Sequence, residues 1–251
     1  MLERHDLHAE RTKERTPFDA FKKLMEERRA IRVFDGTPVP ESVIQEVLET
    51  SLLTANSSNL QPYEFYWIRS PELRVEINHG FIFQSAARTA SELIVAVART
   101  ETWDENRQKV HALLKAYGKQ VTPQNLNYYA VTCKNVYNQG RFGFRGFIKR
   151  VINHFLGRKR AIVRAPSSHA EMKVWAVKST AMVCQSLVMG FQAAGYETCP
   201  LEGFDSTRVK KSLGLAKDAV VVMGIAVGRR SYNGVVSPRV RLPSSNFIKE
   251  V

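Results

Sequence analysis

The segment from Glu171 to Ala194, EMKVWAVKSTAMVCQSLVMGFQAA, limits the possible folds of this chain more than any other stretch. Its pattern is that of a long helix, apolar almost all round. Such a helix lies at the centre of a core and not on a surface. Gly195 follows as its C-cap. Two continuous apolar runs, LIVAVA at 93–98 and AVVVMGIAVG at 219–228, read as strands, the first buried on both faces. EFYWIR at 64–69 reads as a further strand. Strands interleaved with longer helices give a layered α+β or α/β fold.

The remaining elements fit around that core. Phe18, Phe21, Leu24 and Met25 recur at helical spacing between Pro17 and Glu27, predicting an amphipathic helix. Pro40 is expected to open a second helix at its first turn, with Val43, Ile44, Val47, Leu48 and Leu52 on the apolar face. The polar loop TANSSNLQP ends that helix. Residues 104–165 form an irregular helical excursion, and GFDSTRVKKSLGL contains a short helix capped by Asp205. The tail SPRVRLPSSNFIKEV carries two prolines and no period, so it is an extended arm. The division expected is a charged arm over 1–16 and one domain over 17–251.

The net charge is +13, which favours polyanions, anionic surfaces or phosphorylated ligands. Part of the excess is local: 141–164 is crowded with Lys and Arg and holds no acidic residue. A solvated basic face near a phosphate-bearing ligand is the first reading of it. Cys133, Cys184 and Cys199 are an odd set without metal-site spacing, which fits a reducing compartment and no metal. The charged N-terminal stretch has no apolar signal region, and no run of about 18 apolar residues is evident, so a cytoplasmic protein is expected.

Four short strings carry chemistry. In Arg28-Arg29-Ala30-Ile31-Arg32, guanidinium forks at the end of the first helix can clamp phosphate oxygens, or answer the helix dipole. In Asn56-Ser57-Ser58-Asn59-Leu60-Gln61-Pro62-Tyr63, short polar side chains can bond backbone and ligand alike. In Thr198-Cys199-Pro200-Leu201-Glu202-Gly203-Phe204-Asp205, backbone N–H groups between Pro200 and Gly203 can face a cavity. In Pro238-Arg239-Val240-Arg241-Leu242-Pro243, an extended backbone aims Arg239 and Arg241 to the same side.

Together, in this order, the strings resemble the nitroreductase family. RRAIRVFDGTPVP resembles its opening phosphate motif, NSSNLQPYEF its flavin-edge loop, CPLEGFD its isoalloxazine loop and PRVRLP its closing phosphate motif. The resemblance runs from about Phe18 to Ile248. It implies an α+β fold with a central, mostly antiparallel sheet flanked by helices, and an FMN-dependent flavoprotein oxidoreductase. Arg28, Arg29 and Arg32 are implied to hold the FMN phosphate and ribityl end together with Arg239 and Arg241. Asn56, Ser57 and Asn59 are implied to line the flavin, some across a dimer interface. Gln84 matches an amide near the ribityl chain or ring, Lys178 a cation near the pyrimidine, and Pro200, Leu201, Glu202 and Gly203 the segment along the ring. The sequence departs from the family where serine is usual at Asn56, tryptophan at Tyr63 and a polar residue at Ala30.

The resemblance further implies a homodimer with wrapping tails, and ping-pong hydride transfer from NADH or NADPH through flavin N5 to a small organic acceptor such as a nitroaromatic or quinone. No side chain need act as nucleophile, and the resemblance implies that 104–165 borders the substrate mouth. No G-x-G-x-x-G follows a strand, so the choice between NADH and NADPH stays open. Alternatives are specialised flavin chemistry (dehalogenation, flavin fragmentation or ring desaturation), or a basic protein that binds an anionic membrane or nucleic acid and carries a non-catalytic flavin. No specific nucleic acid is expected, whereas weak binding to anionic surfaces is.

Overall fold

A computed structural model describes residues 16–251. The arm expected over 1–16 therefore lies, apart from Thr16, outside the described residues. Helix α1 spans Thr16–Glu27 and α2 Glu41–Ser51, and strand β1 follows at Tyr63–Trp67. Pro40 stands just before α2, where its carbonyl accepts from Val43 and Ile44, so proline flanks the helix instead of opening its first turn. Two helices not anticipated, α3 (Pro71–Gly80) and α4 (Ser85–Thr89), lead to β2 (Glu92–Arg99). The excursion is largely helical, with α5 (Trp103–Ala116), α6 (Pro123–Asn127), a π-turn at Tyr128–Thr132, α7 (Cys133–Tyr137) and α8 (Phe144–Leu156), and it ends in irregular chain over 157–165. The long helix α9 (His169–Ala193) is followed by β3 (Glu197–Leu201), α10 (Ser206–Ser212), β4 (Ala219–Gly228) and the extended arm.

The strands form one antiparallel sheet in the order β1-β2-β4-β3. The two continuous apolar runs are its centre, because only there must both faces be covered. On β2, Leu93, Val95 and Val97 enter one core, with Ile77 of α3, Ala86 of α4 and Val209 of α10. Ile94 and Ala96 enter the other, with Ile44 and Val47 of α2 and Leu187 and Phe191 of α9. The molecule is therefore helix, sheet and helix in three layers. By length and hydropathy α9 would pass for a membrane span, which corrects the expectation that no such run exists. Half of that window is buried inside the protein, so it is the core helix that its all-round apolarity implied. Gly195, at φ +82°, ends it in the left-handed region as expected.

One ion cluster ties the sheet's β1, β2 and β4 together. Arg99 on β2 makes a fork to Asp218, at 3.1 and 3.2 Å, and reaches Glu64 on β1. Burial pushes the Asp218 carboxyl up, but the bonds from Arg99 and from the Glu101 N–H more than offset this and hold it below its ordinary value. Its folded pKa thus lies under the unfolded one. The stabilisation is complete above about pH 5 and is lost as pH falls through the folded value. Asp218→Asn is expected to cost about 2–3 kcal/mol and to lower the melting temperature by roughly 4–10 °C at neutral pH. The gap to the parent should close in acid, measured by thermal melts across pH.

Candidate active site

Three of the four strings meet along the β3 edge of the sheet. Ala30 bridges Thr198 in parallel, with Ile31 N–H donating to the Thr198 carbonyl at 3.1 Å. Arg32 N–H donates to the Gly234 carbonyl at 2.8 Å, and Phe34 bridges Arg230. The chain after α1 is thus held between β3 and the start of the C-terminal arm. Pro200 is tolerated in β3 because this strand lies at the edge of the main sheet.

The consequence is a cleft of about 310 Å³ lined by Arg28, Arg29, Arg32, Arg239 and Arg241, with no acidic residue in its wall among the described residues. Burial, then the charges of Arg239, Arg241 and Arg29, push the Arg28 guanidinium below its ordinary value. Like charges gathered without a counter-ion leave an anion site. The five arginines are not equivalent. Arg239 donates to the carbonyls of Met25 and Glu26, at 3.3 and 2.8 Å, and to that of Arg28. Its fork therefore satisfies the carbonyls at the end of α1 and pins the arm. Arg29 similarly reaches the Ser237 carbonyl. Arg32 donates to Cys199 Sγ at 3.3 Å, a cationic partner for this cysteine that lies 167 positions away. Burial pushes the Cys199 thiol up and Arg32 opposes this, leaving a packed thiol above its ordinary value.

Beyond Cys199 the chain leaves the sheet at exposed Glu202 and Gly203. The Gln84 amide donates to the Gly203 carbonyl, so these two expected ring contacts are neighbours. Asp205 caps α10 by accepting from Thr207 and Arg208. The side chain of Leu201 is only 1% exposed and packs into the core with Cys199 and Phe81. Strand alternation sends 199 and 201 to the same inner face, so Leu201 can offer only backbone to a ligand.

The second string stands apart from the arginine cleft within one chain. Asn56 Oδ1 accepts from Gln61 N–H at 2.9 Å, Ser57 shares a hydrogen bond with Tyr137 at 3.1 Å, and Asn59 accepts from Gln61. None of the three lines the cleft. Ser58 and Asn59 adopt positive φ, at 58° and 49°, which short polar side chains accommodate. Lys178 is exposed on α9, one turn from exposed Val174 and Met182, and it also lies outside the cleft.

A profile of the Nitroreductase family matches residues 25–229. The chain belongs to the nitroreductase family. Among related proteins, the NADH dehydrogenase of Thermus thermophilus is 25% identical over 217 residues, covering 86% of this chain and 89% of that one. Protein DrgA of Synechocystis is 25% identical over 218 residues, covering 86% and 87%. Of solved structures, ydfN from Bacillus subtilis superposes with a TM-score of 0.74 at 18% identity, over 93% of this chain and all of that one. A nitroreductase-type protein from Exiguobacterium sibiricum, solved in complex with FMN, gives 0.66 at 22% identity, over 92% and 97%. The family consists of oxidoreductases that use FMN and NAD(P)H.

A second cavity, about 530 Å³, opens between Leu48 of α2, Leu52 just after it, Tyr63 and Phe65 of β1, and Val110 and Leu113 of α5. Leu52, expected to face the core, lines it instead and is exposed. Neither this cavity nor the Arg32–Cys199 contact has a local sequence signal, since both depend on segments far apart in the chain.

Proposed function

We propose that this chain binds FMN and passes reducing equivalents from NADH or NADPH to a small organic acceptor, of the nitroaromatic or quinone class, in a ping-pong cycle. The observation that carries this is the arginine cleft: five guanidiniums, no carboxylate among the described residues, and room for a phosphate. The donor set suits the doubly charged phosphate monoester that FMN carries. Arg28, Arg29, Arg32 and Arg241 would hold the phosphate, and Arg239 would position the arm that carries Arg241. Pro200, Glu202, Gly203 and the backbone of Leu201 would border the ring, with Gln84 fixing Gly203. When bound, the flavin supplies the two-electron chemistry, and the protein binds and orients it. The Cys199 thiol stays protonated near neutrality and serves as packing.

We assign Asn56, Ser57, Asn59 and Lys178 to the flavin held by a second copy. Exposed apolar side chains support a homodimer: Phe18, Phe21 and Met25 on α1, Val174 and Met182 on α9, and the arm beyond Ser237. The face predicted for α1 does form, but one chain leaves it uncovered. Met182→Glu is expected to shift the protein to monomers in sedimentation equilibrium and to weaken FMN retention with it. A cytoplasmic setting fits this chemistry.

The reading is tested by anaerobic titration of the flavin-loaded protein with NADH and with NADPH, followed by steady-state assays over a panel of acceptors. Bleaching of the flavin and parallel double-reciprocal lines are expected. A colourless protein that FMN does not reconstitute would refute it.

A further inference from the structure

Helix α8 is mounted with its polar side inward. Its half-buried or buried positions are Gly146, Lys149, Asn153 and Gly157, all on one face. A Cβ on Gly146 would come within 2.4 Å of the Ser167 carbonyl, so the helix backbone itself rests on the protein there. Lys149 Nζ donates to the carbonyls of Val136 and Pro166, at 2.8 and 3.2 Å, and Asn153 donates to that of Val163 at 3.2 Å. On the opposite face Phe144, Phe147, Ile148, Val151, Ile152 and Phe155 recur at helical spacing, and all are exposed, Phe144 by 68% and Phe147 by 62%. An amphipathic helix of a globular protein ordinarily buries this stripe.

The charge around α8 is just as one-sided. Residues 106–170 contain thirteen Lys and Arg and no Asp or Glu. The remaining 24 Lys and Arg equal the 24 acidic residues, so the whole net charge of +13 resides in this one segment. Arg107 and Lys109 pair with Asp104 and Glu105 just outside it. Arg145, Arg150, Arg158, Lys159 and Arg160 are exposed on α8 and the turn after it.

We propose that α8 docks on an anionic lipid surface. Its apolar row enters the boundary between headgroups and acyl chains, and the flanking arginines and lysine meet lipid phosphates. Charge complementarity selects this occupant. A second copy seated on the same face would press one cationic field against its twin. A nucleic acid would satisfy the cations but would leave six aromatic and branched side chains facing water. This surface is separate from the arginine cleft, and its occupation does not depend on a flavin.

The test is co-sedimentation of the full chain with vesicles of phosphatidylcholine alone, and with about one third phosphatidylglycerol added. Retention by the anionic vesicles only is expected, falling several-fold when salt is raised from about 0.1 to 0.5 M. Phe147→Ser/Val151→Ser/Phe155→Ser should weaken it by about tenfold or more while the melting temperature holds. Should that variant misfold, the charge reversal Arg150→Glu/Arg158→Glu carries the test and should abolish anionic retention in a folded protein. The proposal is overturned if neither vesicle retains the protein, if both retain it equally, or if both folded variants bind like the parent. It also fails if the triple variant changes only the oligomer mass, or if duplex DNA is bound and the vesicles are not.

Discussion

Arg28→Ala/Arg241→Ala is expected to weaken FMN binding by a hundredfold or more while leaving riboflavin affinity where it was. Each substitution removes a charge-assisted contact to phosphate worth about 1.5–3 kcal/mol, so together roughly 3–6 kcal/mol. Stability should not fall with it. Arg28 already carries the cost of burial and of neighbouring arginines, so deleting two positive charges relieves repulsion. The double variant should therefore melt at or slightly above the parent temperature. Arg239→Ala should behave differently. Its guanidinium satisfies the last carbonyls of α1, so the variant should lose both FMN affinity and thermal stability. Flavin titration and thermal melts on the same preparations separate the two roles.

Phe81→Ala should be the most destabilising single change, and its effect should reach the cleft. Phe81 is fully buried in the core on the α3–α4–α10 side of the sheet. Its ring lies over β4 at Gly224, where a Cβ would come within 2.5 Å of it, and stands 5.3 Å from the ring of Phe204. Removing it leaves a cavity under the 202–205 turn, costing about 3–5 kcal/mol. For a chain of this size that is a fall of roughly 6–20 °C in melting temperature. The Glu202–Gly203 turn rests on Phe204, so FMN affinity should drop as well, measured at a temperature where the variant is still folded. Phe81→Leu, which refills most of the volume, should recover much of both losses.

Much of this was legible in the sequence because the decisive signals are local and repeated. The runs at 93–98 and 219–228 read as core strands and α9 as a core helix, and the two buried clusters against the sheet place them so. The arginine pairs were legible as candidate clamps, and Arg239 and Arg241 line one cleft with Arg28, Arg29 and Arg32. What alternation could not show is that Arg239 faces the end of α1, because an arginine fork serves a helix terminus and a phosphate equally well. The inward turn of the Leu201 side chain is hidden for a related reason. Its string identified a loop, yet the strand phase that turns its side chain inward is set by pairing with β4. Helices α3 and α4 were missed because the first is weakly amphipathic and the second short. The basic character of 141–164 was legible, but the mounting of α8 was not: the contacts of Gly146 and Lys149 are what turn its apolar stripe outward.

The most direct measurement is calorimetric titration of the flavin-free protein with FMN and with riboflavin at matched, moderate ionic strength. These ligands differ only in the phosphate that Arg28, Arg29, Arg32 and Arg241 are proposed to hold. FMN should bind a hundredfold or more tighter, with an advantage that shrinks as salt rises. Equal affinities for the two ligands would contradict a phosphate site at Arg28, Arg32 and Arg241.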